Sequence, residues 1–83
     1  MKKVIDGKVY DTETARKIGS GSRGHAGNPA FRESLYKTKN GAYFIAGTGC
    51  IISQTPGEAL IWCANYLDAT AVEKEFAELI EEA

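Results

Sequence analysis

The chain has few of the residues from which disulfide frameworks, membrane spans and metal centres are built. Its 83 residues include two cysteines, Cys50 and Cys63, which allow at most one disulfide. The opening Met-Lys-Lys lacks the apolar core of a secretory signal, so we predict a cytoplasmic protein with both thiols free. No apolar run approaches the roughly 20 residues that span a bilayer. These absences predict a small, soluble protein that forms one domain over residues 1–83.

Histidine is equally scarce. His25 is the only one, and it lies in a Gly-rich segment, residues 19–29, that we predict to be a surface loop and a poor support for Ser-His-Asp or Cys-His catalysis. Two cysteines and one histidine without close spacing do not form a structural zinc site. Most carboxylates fall on predicted helical surface, where solvated charge is the ordinary role. We therefore predict no catalytic residue, no metal site and no enzymatic activity.

A glycine pattern within the same segment matches G-x-G-x-x-G at Gly19, Gly21 and Gly24. A dinucleotide site needs a helix that begins inside this motif, so that the pyrophosphate meets its N-terminus. Pro29 and further glycine follow instead, so we predict no cofactor. If the loop binds a ligand, Arg23 and His25 would suit a phosphate or a carboxylate.

Two β-hairpins are predicted in residues 1–47. Asp6-Gly7 lies between β-favouring pairs and suits a two-residue turn, whereas residues 11–18 are either extended or a short helix. Asn40-Gly41 joins two further β-rich runs. A two-residue turn there pairs Lys37 with Phe44 and Leu35 with Ala46, which places Leu35, Phe44 and Ala46 on one face.

Helical signals fill the last third of the chain, residues 55–82. Thr55-Pro56-Gly57-Glu58 matches a capping box and predicts a helix from about Pro56 to Leu67. Its predicted apolar stripe consists of Leu60, Ile61, Ala64 and Leu67. Residues Thr70 to Glu73 match a second capping box. A second helix is predicted there, because Val72, Phe76, Leu79 and Ile80 recur at helical spacing. Strands followed by helices predict an α+β fold, with a small antiparallel sheet of three to four strands and both helices on one face.

Charge is sorted along the chain. Residues 1–40 carry nine basic and four acidic residues, and residues 41–83 carry one basic and seven acidic residues. The acidic helical side could serve solubility alone, or it could dock on a basic surface that normally holds nucleic acid. The candidate partner-binding residues are Asp68, Glu75, Glu78, Glu81 and Glu82, with Tyr43 or Trp62 as anchors if exposed.

Basic and aromatic residues are interleaved in the first half of the chain, and this favours an alternative function. Such a surface can pair with phosphates and stack on bases, although ordinary cross-strand packing also explains it. The candidate nucleic-acid-binding residues are Arg16, Lys17, Arg23, Lys37, Lys39 and Tyr43. A third possibility is a homodimer in which the basic half of one copy meets the acidic half of another.

Three blocks of the chain resemble a group of small proteins carried by bacterial phages and mobile elements. They are residues 1–15, residues 35–44 and residues 58–62, followed by an acidic last helix. The setting of that group resembles that of anti-CRISPR and other anti-defence proteins. The resemblance implies a binding inhibitor of a host defence complex, such as a CRISPR effector, in the cytoplasm of a bacterial host. The loops at 19–29 and 47–54 depart from the group's pattern, so no functional residue is carried over.

Overall fold

The computed structural model describes residues 1–23, 31–47 and 49–80, with the side chains of residues 22, 23, 31 and 32 excepted. The described residues form an α+β fold of six strands and two helices. The strands are β1 (Lys2–Ile5), β2 (Lys8–Asp11), β3 (Arg16–Arg23), β4 (Phe31–Lys37), β5 (Tyr43–Gly47) and β6 (Cys50–Gln54); the helices are α1 (Pro56–Tyr66) and α2 (Ala69–Glu75).

The fold has three layers around a four-stranded antiparallel sheet, ordered β3-β4-β5-β6. One face of the sheet packs on the helices, in a core that contains Leu35, Tyr43 and Phe76. The other face packs on the β1–β2 hairpin, in a second core built around Tyr10, Phe44 and Ile51. Because β5 contributes to both cores, it is buried on both sides.

The β1–β2 hairpin confirms the prediction from Asp6-Gly7. Asp6 has φ of 50° and Gly7 has φ of 76°, which are the positive angles of a type I′ turn. Val4 pairs with Val9 and Ile5 pairs with Lys8 across the hairpin. The short turn fixes this register, and the alternation of the strands directs Ile5 and Tyr10 toward the sheet.

The prediction of a surface loop at residues 19–29 is wrong for residues 19–23, which belong to β3 and pair with β4. Residues 24–29, with His25, lie outside the described residues. Gly19 and Gly21 face α1, where a Cβ atom would lie 2.6 Å from the nearest atom of Leu67 and of Tyr66, respectively. These glycines therefore allow a helix to approach the backbone of a strand closely.

The predicted register of the second hairpin is wrong by one residue. Lys37 pairs with Tyr43 and Leu35 pairs with Ile45, because the turn contains three residues instead of two. The amide of Gly41 donates to the carbonyl of Thr38 over 3.0 Å, and Gly41 has φ of 87°. A type I turn followed by a left-handed glycine gives this geometry. Leu35 and Phe44 consequently lie on opposite faces of the sheet.

Strand β6 was not predicted, and it pairs with β5 as the fourth strand. Helix α1 confirms the capping box, since Glu58 N donates to Thr55 Oγ1 over 3.1 Å and Thr55 N donates to Glu58 Oε1 over 2.9 Å. The predicted apolar stripe is rotated, because the buried residues of α1 are Ala59, Trp62 and Cys63.

Helix α2 begins earlier than predicted. Asp68 is its N-cap residue and accepts a hydrogen bond from the amide of Ala71 over 2.8 Å, so Thr70 lies inside the helix. The helix ends at Glu75, and residues 77–79 form a turn. Phe76 is buried, as its spacing from Val72 predicts, but Leu79 is 51% exposed.

Candidate interaction surfaces

In the folded protein, acidic and basic residues are concentrated in different layers. Residues 55–80, which form the helical layer, carry five carboxylates and one lysine. Strands β3 and β4 of the sheet carry five basic residues and one glutamate. Because consecutive parts of the chain build different layers, the sorting of charge along the sequence becomes a sorting of charge between layers. The two kinds of charge meet at one depression, where Lys37 and Lys74 lie beside Glu75 and Glu78.

Three of the five carboxylates in the helical layer have structural partners. Glu58 and Asp68 cap the amino ends of α1 and α2, where the helix dipole also favours a negative charge. Glu75 pairs with Arg16. Glu73 and Glu78 are both exposed. Among the described residues of this layer, they are the two carboxylates that have no hydrogen bond or ion pair and are therefore open to a binding partner.

The Arg16–Glu75 ion pair joins the two charge populations. Arg16 Nη2 donates to Glu75 Oε2 over 3.0 Å, and Arg16 Nη1 donates to Glu75 Oε1, so the contact is bidentate. The hydrogen bond from Arg16 lowers the pKa of Glu75, and burial opposes this shift. The same hydrogen bond raises the pKa of Arg16. Each residue was predicted to serve a different surface, and in the structure each neutralises the other.

Neither predicted aromatic anchor is exposed. Tyr43 is 6% exposed and Trp62 is 4% exposed. Tyr43 stacks on Phe76 with ring centroids 5.5 Å apart, and Trp62 Nε1 donates to Glu33 Oε1 over 2.8 Å. Tyr43 lies on the face of β5 that packs on the helices, and Trp62 lies on the buried side of α1. They therefore hold the helices on the sheet and do not form an anchoring contact on the surface.

The basic residues predicted to bind nucleic acid do not lie on a single surface. Arg16 and Lys37 are directly opposite each other in β3 and β4, and they line one open depression together with Lys39. Lys37 Nζ also lies 5.4 Å from the centroid of the Tyr43 ring, a cation–π distance. Lys17 pairs with Tyr36 and so lies on the opposite face of the sheet. The side chain of Arg23 lies outside the described part of the structure.

Exposed aliphatic side chains at the β6 edge were missed by the sequence reasoning. Ile52 is 56% exposed and Ile61 is 65% exposed, and the two line the same depression beside Trp62 and Tyr66. The run Ile51-Ile52 between Gly49 and Pro56 was the available signal, because β-branched residues bounded by turn formers are typical of a strand.

The two cysteines differ in environment, and both are free thiols, as predicted. Burial, with a smaller effect from nearby Glu75, raises the pKa of Cys63 to about 11. Within the described ranges, no three histidine, cysteine, aspartate or glutamate side chains are grouped to hold a metal ion. Neither α1 nor α2 has the length and apolar character of a bilayer-spanning helix.

Comparison of the chain with protein-family models, with curated proteins and with solved structures gives no match.

Proposed function

We propose that this protein is a non-catalytic inhibitor from a phage or mobile element, which binds a host defence complex through its acidic helical layer. The leading candidate for the target is a CRISPR effector, whose nucleic-acid channel offers a basic surface of matching sign. The observation that carries the proposal is the separation of charge between layers, with four more carboxylates than lysines in residues 55–80. A carboxylate surface of this kind competes with phosphates for the same lysines and arginines.

The exposed carboxylates Glu73 and Glu78 are the central contacts in this proposal. Glu81 and Glu82 lie outside the described residues, and in the sequence they add two further negative charges after Ile80. Glu75 contributes less than its position in the sequence suggested, because Arg16 already holds both of its carboxylate oxygens. Asp68 is exposed while it caps α2, so it adds to the acidic character of the layer without having to leave its partner.

The test is protection of a phage in a bacterium whose CRISPR system targets it. Expression of the protein should raise the number of plaques by orders of magnitude, and Glu73→Gln/Glu78→Gln should reduce that protection. Asp6→Asn/Glu13→Gln changes the net charge equally outside the helical layer and should protect like the wild type. Asn suits the type I′ turn that Asp6 occupies. Failure to protect in strains with active CRISPR systems of each type would contradict the proposal, and equal loss in both double variants would contradict the role of the helical layer.

A nucleic-acid-binding accessory protein is the second candidate. The grouping of Lys37 and Lys39 around one depression favours it, and Arg16, which lines the same depression, is already paired with Glu75. Binding to labelled DNA or RNA across a salt titration separates the two functions, because phosphate contacts weaken steeply with salt. Binding that falls with salt, and that Lys37→Glu/Lys39→Glu abolishes, would support the second function. We expect no such binding from an inhibitor that acts through its carboxylates.

A further inference from the structure

Strand β6 is an edge of the four-stranded sheet that lacks the usual protection against pairing. Among the described residues, its backbone pairs with β5 alone. Its sequence, Cys-Ile-Ile-Ser-Gln, contains no charge and no proline, and its register with β5 is continuous. Strand β3 at the other edge carries three basic residues and a register shift between Lys17 and Gly19. Charges and bulges of that kind prevent edge-to-edge association, and β6 has neither.

Two exposed isoleucine side chains lie beside this edge, among polar neighbours that include Gln54 and Glu58. Ile52 is the central residue of β6, and its side chain lies on the helical face of the sheet, because it pairs with buried Ile45. Ile61 on α1 lines the same depression, and each of the two isoleucines exposes more than half of its surface. A strand whose outer edge has no pairing partner, and which is flanked by exposed apolar side chains, is typical of a site for strand addition.

We propose that β6 pairs antiparallel with β6 of a second copy of this chain, about a two-fold axis through Ile52. In this register Ile52 lies opposite Ile52 of the second copy, and Cys50 lies opposite Gln54. No like charges meet across the new ladder, since the strand is uncharged, and the two-fold axis brings the exposed Ile52 of each copy together at its centre. The pairing joins the two sheets into one of eight strands and buries the exposed isoleucines on one side of it. The β6–β6 pairing does not involve Glu73 or Glu78, so its tests are independent of the proposed function.

The register can be tested by disulfide crosslinking. Directly opposite residues in an antiparallel pair have Cα atoms about 4.5–5.5 Å apart, within the range of about 4.4–6.8 Å that a disulfide spans. In Gln54→Cys, native Cys50 of each copy faces the new thiol of the other. Two Cys50 residues, or two thiols at position 54, are separated by four residues of strand, roughly 13 Å.

Mild oxidation should therefore convert most of Gln54→Cys into a covalent dimer on a non-reducing gel. The wild type and Cys50→Ser/Gln54→Cys should stay monomeric on the same gel, with Cys63 buried in all three. Absence of the covalent dimer in Gln54→Cys would overturn the proposal. Equal crosslinking of the wild type would place the contact in another register and would overturn it too.

Sedimentation of the unmodified protein gives an independent test. The wild type should sediment as a dimer, and Ile52→Lys should be a monomer, because a lysine in the middle of the edge opposes its own copy across the axis. Val9→Lys changes another exposed aliphatic residue, 57% exposed on β2, and should remain a dimer. A monomeric wild type at all concentrations, or a dimer that Val9→Lys and not Ile52→Lys dissociates, would refute pairing through β6.

Discussion

Gly21 marks a point where α1 approaches the sheet too closely for any side chain on the strand. An added Cβ would lie 2.6 Å from Tyr66 Cδ1 and 2.7 Å from Tyr66 Cγ. It would also lie 3.2 Å from Tyr66 Cβ, so the clash is at the root of the side chain, where rotation of the ring gives little relief. The ring itself packs against Trp62 with centroids 4.8 Å apart. We therefore expect Gly21→Ala to destabilise the protein.

The expected loss is the difference between two effects. Overpacking of this kind costs about 1–3 kcal/mol. Alanine restricts the unfolded chain more than glycine does, which offsets about 0.4–1 kcal/mol of that cost. The midpoints of these two ranges give a net decrease in the free energy of unfolding of about 1.3 kcal/mol, which corresponds to a Tm lower by about 5–10 °C in a domain of this size.

Urea and thermal unfolding measure this change, and Gly57→Ala is the matched control. Gly57 lies in the first turn of α1, and the nearest atom to an added Cβ is Thr55 Oγ1 at 4.0 Å. Alanine there should stabilise the protein by up to about 1 kcal/mol. A double-mutant cycle of Gly21→Ala with Tyr66→Ala should show coupling of about 1 kcal/mol. Additive effects, or a Gly21→Ala protein as stable as Gly57→Ala, would refute the reasoning.

Three further predictions concern ionisable and polar groups. Glu75→Gln should lower the free energy of unfolding by up to about 1 kcal/mol at pH 7. The hydrogen bond from Arg16 lowers the pKa of Glu75 from its ordinary value of 4.5. The difference in stability between the variant and the wild type, measured by urea titration, should therefore shrink as the pH falls below 4.5. Native protein at pH 8 should react with a thiol reagent at Cys50 and not at Cys63, whose pKa burial raises to about 11, whereas in urea the mass should show both modified. Glu33→Ala leaves the buried Trp62 N–H without this acceptor and should destabilise by about 1–3 kcal/mol in denaturant titrations followed by tryptophan fluorescence; Glu33→Gln, which keeps an acceptor, should lose less.

Signals confined to a few neighbouring residues predicted the structure well. The Asp6-Gly7 turn and the Thr55–Glu58 capping box both depend on hydrogen bonds and backbone angles within four residues, and both are present. The start of α2 was harder, because Asp68 and Thr70 are both good N-cap residues and only Ala69 separates them. The fold class followed from the order of these elements.

The register of the second hairpin could not be read from its hydrophobic pattern. Tyr43, Phe44 and Ile45 are all buried, so either alternation places apolar residues in a core. The length of the turn alone decides the register, and Asn40-Gly41 is compatible with both a two-residue and a three-residue turn. A difference of one residue in the turn then moves every later side chain to the other face.

Contacts between distant parts of the chain account for the remaining errors. Gly19 and Gly21 were predicted to lie in a loop because glycine is typical of loops. They are glycines in a strand because Leu67 and Tyr66, which are distant in the sequence, leave no room for a Cβ atom. The sorting of charge between layers was visible in the sequence, since each layer is built from one stretch of chain. The Arg16–Glu75 pair depends on how α2 lies against the end of β3, which no local pattern specifies.

The β1–β2 hairpin packs on the sheet mainly through Ile5 and Tyr10, while Val4 and Val9 on its other side are exposed. Its core is separate from the one beneath the helices, so we expect the hairpin to open locally while α1 and α2 remain packed on the sheet. Such an opening would expose Phe44 to solvent. Amide hydrogens of β1 and β2 should then exchange with solvent sooner than those of β4 and β5, which open only when the whole chain unfolds.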